Sequence, residues 1–296
     1  MKQFLFILIS LILNYYSFGQ EHPEALSKRH NLQQLRDFIP SKAGNMFDVK
    51  HYTLDLHADP SVSAISGTIT TLFEMKSESN IISFDLYDNM MIDSIKYDDM
   101  LVETYTNNNH ELSITLPASI EAGTLKSIAV SYHGSPISNG LGAFEISRHN
   151  DIPILWTLSA PYGAYTWWPC KQTLNDKADS VDIIVTVPSG NKVGSNGVLI
   201  ATTDMENDQI QYHWKHRHAI ATYLIAIAVT NYTELTSEVP VEGQDPIQIV
   251  DYVYPEQLNN WQASQNYTKK KEVVPKVLVL PSSAFPFCHS ERQRKI

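Results

Sequence analysis

Histidines are the residues of this chain that come nearest to a chemical pattern. There are eleven of them. A zinc hydrolase would use two in His-Glu-x-x-His on a helix, where positions i and i+4 share one face and the glutamate acts as general base. The metal needs three protein ligands and an open position that activates water. The only His-Glu pair is His110-Glu111, and Leu112, Ser113 and Ile114 follow it without a second histidine. It falls in a strand pattern just after an Asn-rich turn, so no metal chemistry is expected there. His213, His216 and His218 form the one local cluster. In a two-residue period His216 and His218 would point the same way, as a surface metal site requires, but no carboxylate or cysteine stands near them in sequence. The favoured reading is a strand end entering a turn, with His213 between inward-facing Tyr212 and Trp214.

Other chemistries find even less. Cys170 and Cys288 are the only cysteines, and two lone thiols define neither a disulfide framework nor a zinc knuckle. Cys170, beside Trp167 and Trp168, is expected to be a small buried hydrophobe. Gly-x-Ser-x-Gly, phosphate-loop and dinucleotide patterns are absent. Trp156, Tyr162, Trp167 and Trp168 could make a carbohydrate or peptide platform, but core packing and an interdomain contact are expected instead. No catalytic, substrate-binding or metal residue is therefore assigned.

The elements that would position these residues are strands. Tyr52, Leu54 and Leu56 share one face, with Thr53, Asp55 and His57 on the other. The same alternation recurs in Leu112-Ile114-Leu116, Val181-Ile183-Val185-Val187 and Ile210-Tyr212-Trp214. Turn residues separate the runs at Ala58-Asp59-Pro60, Asn107-Asn108-Asn109, Glu121-Ala122-Gly123, Ser189-Gly190-Asn191 and Asn196-Gly197. Leu224 to Val229 is apolar without alternation, as in a strand buried on both faces. Residues 45–240 thus read as one antiparallel β domain of about a dozen strands, and the fold class as all-β. Leu32, Leu35 and Phe38 suggest a short helix in a linker over 20–44. Strand-like Ile247 to Tyr254 and a helix opened by Pro255 and reaching about Val274 suggest the α/β start of a second, incomplete domain over 241–280. Residues 281–296 show no periodicity and are expected to be a disordered tail.

The 296 residues are 43% hydrophobic and 18% charged, ordinary for a globular chain with a sizeable core. A formal net charge of −10, spread along the chain, argues against a nucleic-acid partner, which would need a basic stripe to neutralise phosphates. Residues 1–19 have the layout of a secretory signal peptide: Lys2, an apolar run from Phe4 to Leu13, and a cleavage point after Gly19. That run is too short to span roughly 30 Å of hydrocarbon. The expectation is export to the periplasm, cell surface or medium, with no membrane span left after cleavage.

The stretch Pro161-Tyr162-Gly163-Ala164, with Trp167-Trp168-Pro169-Cys170-Lys171, resembles the interdomain strand and turn of the aminopeptidase N family of zinc metallopeptidases. Asn175-Asp176-Lys177-Ala178-Asp179, Val187-Pro188, Ser195-Asn196-Gly197-Val198-Leu199 and Tyr223 to Val229 are similar to the segments that follow. Upstream, Val49 to Leu56 with Ile65-Ser66-Gly67-Thr68 is similar to the opening hairpin of the family's amino-terminal domain. The resemblance implies a saddle-like β domain that covers one side of a catalytic zinc domain, with peptide as the parent enzyme's substrate and zinc as its cofactor. In the family, Gln-x-Glu or a lone Glu before Pro-Tyr-Gly meets the substrate's α-ammonium. The corresponding residues here are Leu158 and Ala160, which offer neither charge nor acceptor. An unpartnered buried ammonium costs on the order of several kcal/mol. The family's Gly-Ala-Met-Glu-Asn and its zinc motif are absent.

The chain is thus expected to be the amino-terminal, non-catalytic portion of an exported zinc aminopeptidase, truncated before the catalytic motifs and inactive alone. Its partner would be the missing catalytic domain. The alternative from another class is a stand-alone extracytoplasmic binding module that offers the same surface to a partner protein.

Overall fold

The computed structural model describes residues 42–137, 143–241, 243–263 and 290–293. The expected signal peptide, the helix expected near Leu32 and Phe38, and Cys288 lie outside the described residues. A 3₁₀ turn at Lys42–Asn45 leads into β1 (Phe47–Ala58), β2 (Ile65–Met75), β3 (Ser79–Asp85), β4 (Met91–Tyr97), β5 (Met100–Leu101) and β6 (Tyr105–Asn108). Next come β7 (Glu111–Ile120), β8 (Leu125–Gly134), β9 (Glu145–His149) and β10 (Ile152–Trp156). The later strands are β11 (Ser180–Pro188), β12 (Lys192–Ser195), β13 (Val198–Met205), β14 (Gln209–His216), β15 (Ile227–Thr230), β16 (Thr233–Val241), β17 (Gln244–Val253) and β18 (Ser290–Gln293). The fold is all-β. Its α-helical content among the described residues is a short stretch at 258–263, preceded by a 3₁₀ turn at Pro255–Gln257. No helix among these residues is long and apolar enough to cross a membrane.

One large sheet has the order β13-β14-β11-β1-β2-β8-β4-β5, and three smaller sheets are β12-β15-β10-β9, β16-β17-β18 and β3-β7-β6. Among the described residues all strand pairs are antiparallel except one: β1 lies parallel to β11, with Tyr52 opposite Val181 and Leu54 opposite Ile183. The large sheet buries one face. Tyr52, Leu54, Leu56, Val181, Ile183, Val185 and Val187 are all fully buried, as the period of two requires. Their neighbours Asp55 and His57 are exposed on the other face.

Of four further hairpin turns, the sequence reading touched only the one at Asn109. Asp98-Asp99, Asn109-His110, Asn150-Asp151 and Asn207-Asp208 all have φ between 45 and 66° at both residues, the geometry of type I′ turns that match strand twist. His110 therefore sits in the turn itself and not in the strand. Two further readings are corrected. The expected strand over Leu224 to Val229 begins only at Ile227, because Thr222–Leu224 is a 3₁₀ turn. That turn leaves Leu224 50% exposed. Within the stretch expected to lack order, Ser290–Gln293 pairs antiparallel with β17.

Gly197 is a position where only glycine fits. Its φ is +92°, and a Cβ there would lie 2.1 Å from the Lys215 carbonyl oxygen. Gly123 and Gly190 also have positive φ, but a Cβ at either would meet open space. Gly197→Ala is expected to cost more than the roughly 1–3 kcal/mol of an αL-type strain alone, whereas Gly123→Ala stays within that range. Urea unfolding of the two variants checks the difference.

Candidate functional site

The segment that follows β10 carries the most specific sequence pattern, and the structure shows how it is held. β10 lies between β15 and β9. Past its end, the Thr157 N–H donates to the Ile227 carbonyl at 3.0 Å, and the Ile227 N–H donates to Thr157 Oγ1 at 3.0 Å. The chain then turns through a cis Ala160–Pro161 bond. Gly163 N–H returns to the Ser159 carbonyl at 2.8 Å. Gly163 is packed so closely that a Cβ would lie 2.9 Å from Ala143 Cβ. A 3₁₀ turn at Ala164–Thr166 follows, and Thr166 Oγ1 donates to the Gly163 carbonyl at 2.8 Å.

The tryptophans anchor this turn from below. Trp167 and Trp168 are fully buried, so they offer no face to a ligand. Trp167 Nε1 donates to Ser159 Oγ at 2.9 Å, and the Tyr132 hydroxyl donates to the Trp167 carbonyl at 2.8 Å. Trp168 meets Tyr52 edge-on with centroids 5.0 Å apart, a favoured arrangement for two aromatic quadrupoles. Cys170 exchanges backbone hydrogen bonds with Asp85, at 2.8 and 3.1 Å. Its thiol is fully buried. Burial, with the Asp85 carboxylate nearby, pushes that thiol well above the ordinary range, which leaves no thiolate for nucleophilic work.

Lys171 and Asp176 form a buried ion pair, with side chains 4% and 7% exposed. Lys171 Nζ also donates to the Phe47 carbonyl and lies 4.9 Å from the Phe47 ring centroid. Burial lowers the Lys171 pKa, and Asp176 works against that shift. On the other side of the turn, Gln172 N–H donates to Asp85 Oδ2 at 2.7 Å, and Gln172 Oε1 accepts the Tyr165 N–H at 3.1 Å.

What the turn presents outward is apolar. Leu158 is 40% exposed, Pro161 is exposed, and Trp156, Ala160 and Tyr162 are half-buried. Leu158 and Ala160 thus stand at the surface with no carboxylate of their own to offer an ammonium. The side chains at Leu158, Ala160 and Pro161 carry no titratable group.

The histidines are not brought into this site. His110 stacks on Tyr87 with centroids 4.2 Å apart, and its Nδ1 lies 3.2 Å from Asp88. His213 gains a carboxylate that local sequence did not reveal. Asp182 on β11 lies 3.5 Å from His213 Nε2, 2.7 Å from Arg217 and 3.8 Å from Lys215. The β11–β14 register, with Asp182 opposite Lys215, brings them together. The pairing of the Val181 and Ile210 runs is the signal that would have located it. His216 and His218 rings lie 5.8 Å apart, and burial lowers the His216 pKa, with His218 beside it acting the same way. Among the described residues no group of three or more His, Cys, Asp or Glu is arranged to hold a metal ion. The ligand set that zinc needs does not fit what these residues supply. An open cleft of about 410 Å³, lined by His57, Ser66, His133 and Thr186 among others, shares no residue with the turn.

Solved structures that share this fold include M1 zinc metallopeptidases. An M1 zinc metallopeptidase from Deinococcus radiodurans superposes with a TM-score of 0.60 at 22% identity, over 68% of this chain and 46% of that one. A mutant of that enzyme bound to a Tyr-Ser-Ala substrate gives 0.58 at 22% identity, over 68% and 46%. A mutant two-domain M1 zinc metallopeptidase bound to L-tryptophan gives 0.61 at 20% identity, over 71% and 48%. The chain therefore spans about half the length of the structures it matches. No curated protein matches it. The family profile that does match, over residues 48–224, is that of the Peptidase M1 N-terminal domain. On that match, which takes in both the opening hairpin and the Pro161 turn, the chain belongs to the Peptidase M1 N-terminal domain family.

Proposed function

We propose that this chain is the amino-terminal, non-catalytic portion of an exported zinc aminopeptidase, and that it hydrolyses no peptide by itself. The observation that carries the reading is the family match over residues 48–224, which takes in the apolar Leu158–Pro161 turn. The solved relatives are zinc metallopeptidases, one of them bound to a Tyr-Ser-Ala substrate, which supports peptide as the substrate class of the whole enzyme. In that enzyme the zinc ligands and the general base stand on residues outside this chain, and the Leu158–Pro161 surface packs against the domain that bears them. Leu158 and Ala160 leave recognition of the substrate's amino terminus to other groups. Export rests on Lys2 and the Phe4 to Leu13 run.

The purified chain, supplied with zinc and aminoacyl chromogenic substrates, is expected to show no turnover above buffer. Turnover that co-purifies with the chain and survives replacement of His213, His216 and His218 would overturn the proposal. Expressed with its leader, the protein is expected outside the cytoplasm with Gln20 as its first residue, which amino-terminal sequencing reads directly.

A further inference from the structure

β13 closes one side of the large sheet. Among the described residues it is bonded to β14 and to no strand on its other side. Such an edge offers a row of unused N–H and C=O groups to any extended chain, and native edges usually carry a guard against it. Other edges of this fold do. β5 has two residues, β9 carries Glu145 and Arg148, and β16 carries Glu234, Glu238 and Pro240. β13, Val-Leu-Ile-Ala-Thr-Thr-Asp-Met, has one charge and neither Lys nor Pro. All of it but Leu199 is exposed, with Ile200 at 47% and Met205 at 43%. A register shift between Leu199 and Ala201 interrupts the strand near its start, and Ala201–Met205 then run unbroken beside β14.

That run fits its own copy. Turned antiparallel about Thr203, it sets Ala201 opposite Met205, Thr202 opposite Asp204, and Thr203 opposite Thr203. No like charges meet, and on each side of the centre a threonine hydroxyl faces a carboxylate that can accept from it. Charge at the two ends of the hairpin selects the same arrangement. The turn from β13 into β14 holds Asp204, Glu206 and Asp208, none with an ion-pair partner among the described residues. The far end of β14 holds Lys215 and Arg217, which share the Asp182 carboxylate at 3.8 and 2.7 Å, so that end stays net positive. Antiparallel pairing lays the acidic turn of each copy along Val198 and Ile200 of the other, next to Lys215, the β14 partner of Val198. Parallel pairing would set acidic turn against acidic turn, which is costly. The net charge of −10 opposes association as a whole and keeps the contact weak.

We propose that β13 is a dimer edge: two copies of this chain pair antiparallel through Ala201–Met205, about a twofold axis at Thr203, and join their large sheets into one. The same patch serves on both copies, so the contact closes at two and leaves no β13 edge for a third. It uses no residue of the Leu158–Pro161 turn and stands or falls independently of what that turn packs against.

The test is sedimentation velocity of the purified chain, with hydrogen exchange of the β13 amides. A dimer is expected at about 100 μM and a monomer at about 1 μM, as suits a contact smaller than a standard interface. The amides of Ala201–Met205 that face away from β14 are expected to gain protection as concentration rises. Thr203→Lys and Thr203→Glu, each alone, are expected to weaken pairing by about tenfold or more, because each sets like charges face to face on the axis. Mixed in equal amounts, they are expected to pair at least as tightly as the unmodified chain. Thr203 is exposed, so both variants should melt close to the unmodified chain, and Thr203→Val, which adds no charge, should keep the dimer. A monomer at about 100 μM would leave the edge to water or to another protein and overturn the proposal. A dimer whose β13 amides exchange as they do in the monomer, or charge variants that pair alone as well as they do mixed, would overturn it too.

Discussion

Asp176→Ala is expected to destabilise the folded chain by about 3–5 kcal/mol, the cost of leaving a buried charge without its partner. Lys171 cannot swing to water, since its side chain is 4% exposed and its ammonium is already spent on the Phe47 carbonyl and ring. Its backbone N–H is tied too, donating to the Tyr52 hydroxyl at 3.0 Å. The pH dependence identifies the cause. Burial lowers the folded pKa of Lys171 below its unfolded value. Between those two values the unfolded chain binds more protons, so stability rises with pH there. Without Asp176 the pKa falls further and the window widens, so the variant's deficit should shrink from pH 7 to pH 10. Urea unfolding at the two pH values measures it. A deficit that does not change with pH would place the cost in lost packing and not in an orphaned ammonium. Replacing both partners, in Lys171→Met with Asp176→Leu, should recover most of the loss, because an apolar pair removes the desolvation penalty altogether.

The division between what could be read from the chain and what could not has a physical basis. Alternation at Tyr52-Leu54-Leu56, Leu112-Ile114-Leu116 and Val181-Ile183-Val185-Val187 identified buried strand faces, and all ten of these side chains are buried. A strand's face is a property of its own residues. Its partner is not, which is why the parallel β1–β11 pair and the approach of Asp182 to His213 went unseen. β5, with two residues, and β12, with four, are too short to show any period. Leu224 misled because an apolar run does not distinguish a buried strand from a 3₁₀ turn that leaves one leucine outside. The Pro161 turn was legible for a different reason: its residues resemble a family segment, and at Gly163 the close approach of Ala143 leaves no room for a Cβ. The contacts of His149 left no local signal at all. Its partners Thr230, Tyr254 and Glu256 come from β15 and the segment after β17, and only the folded chain brings them to one ring.

Trp168→Ala is the second large effect, expected to cost about 3–5 kcal/mol, as is usual when a buried tryptophan is truncated. The indole is fully buried, and it sits where the large sheet meets the turn, edge-on to Tyr52 at 5.0 Å and against Trp167 at 5.8 Å. Removing it frees Tyr52, whose hydroxyl accepts the Lys171 N–H, so the cavity opens beside the Lys171–Asp176 pair. The two predictions are therefore coupled, and the double variant Trp168→Ala with Asp176→Ala should lose less than the sum of the single losses. Trp168→Phe separates ring packing from hydrogen bonding. Trp168 Nε1 has no partner among the described residues, so phenylalanine removes volume and breaks no bond, and its cost should be less than half that of alanine. Leu224→Ala, half exposed on its 3₁₀ turn, should stay within about 0.5 kcal/mol and serves as the surface control. Urea unfolding of the set, followed by tryptophan fluorescence from the remaining indoles, gives the ordering. A Trp168→Phe loss as large as that of Trp168→Ala would mean that the indole N–H is bonded after all, and that this turn is held by more than the fit of its aromatic core.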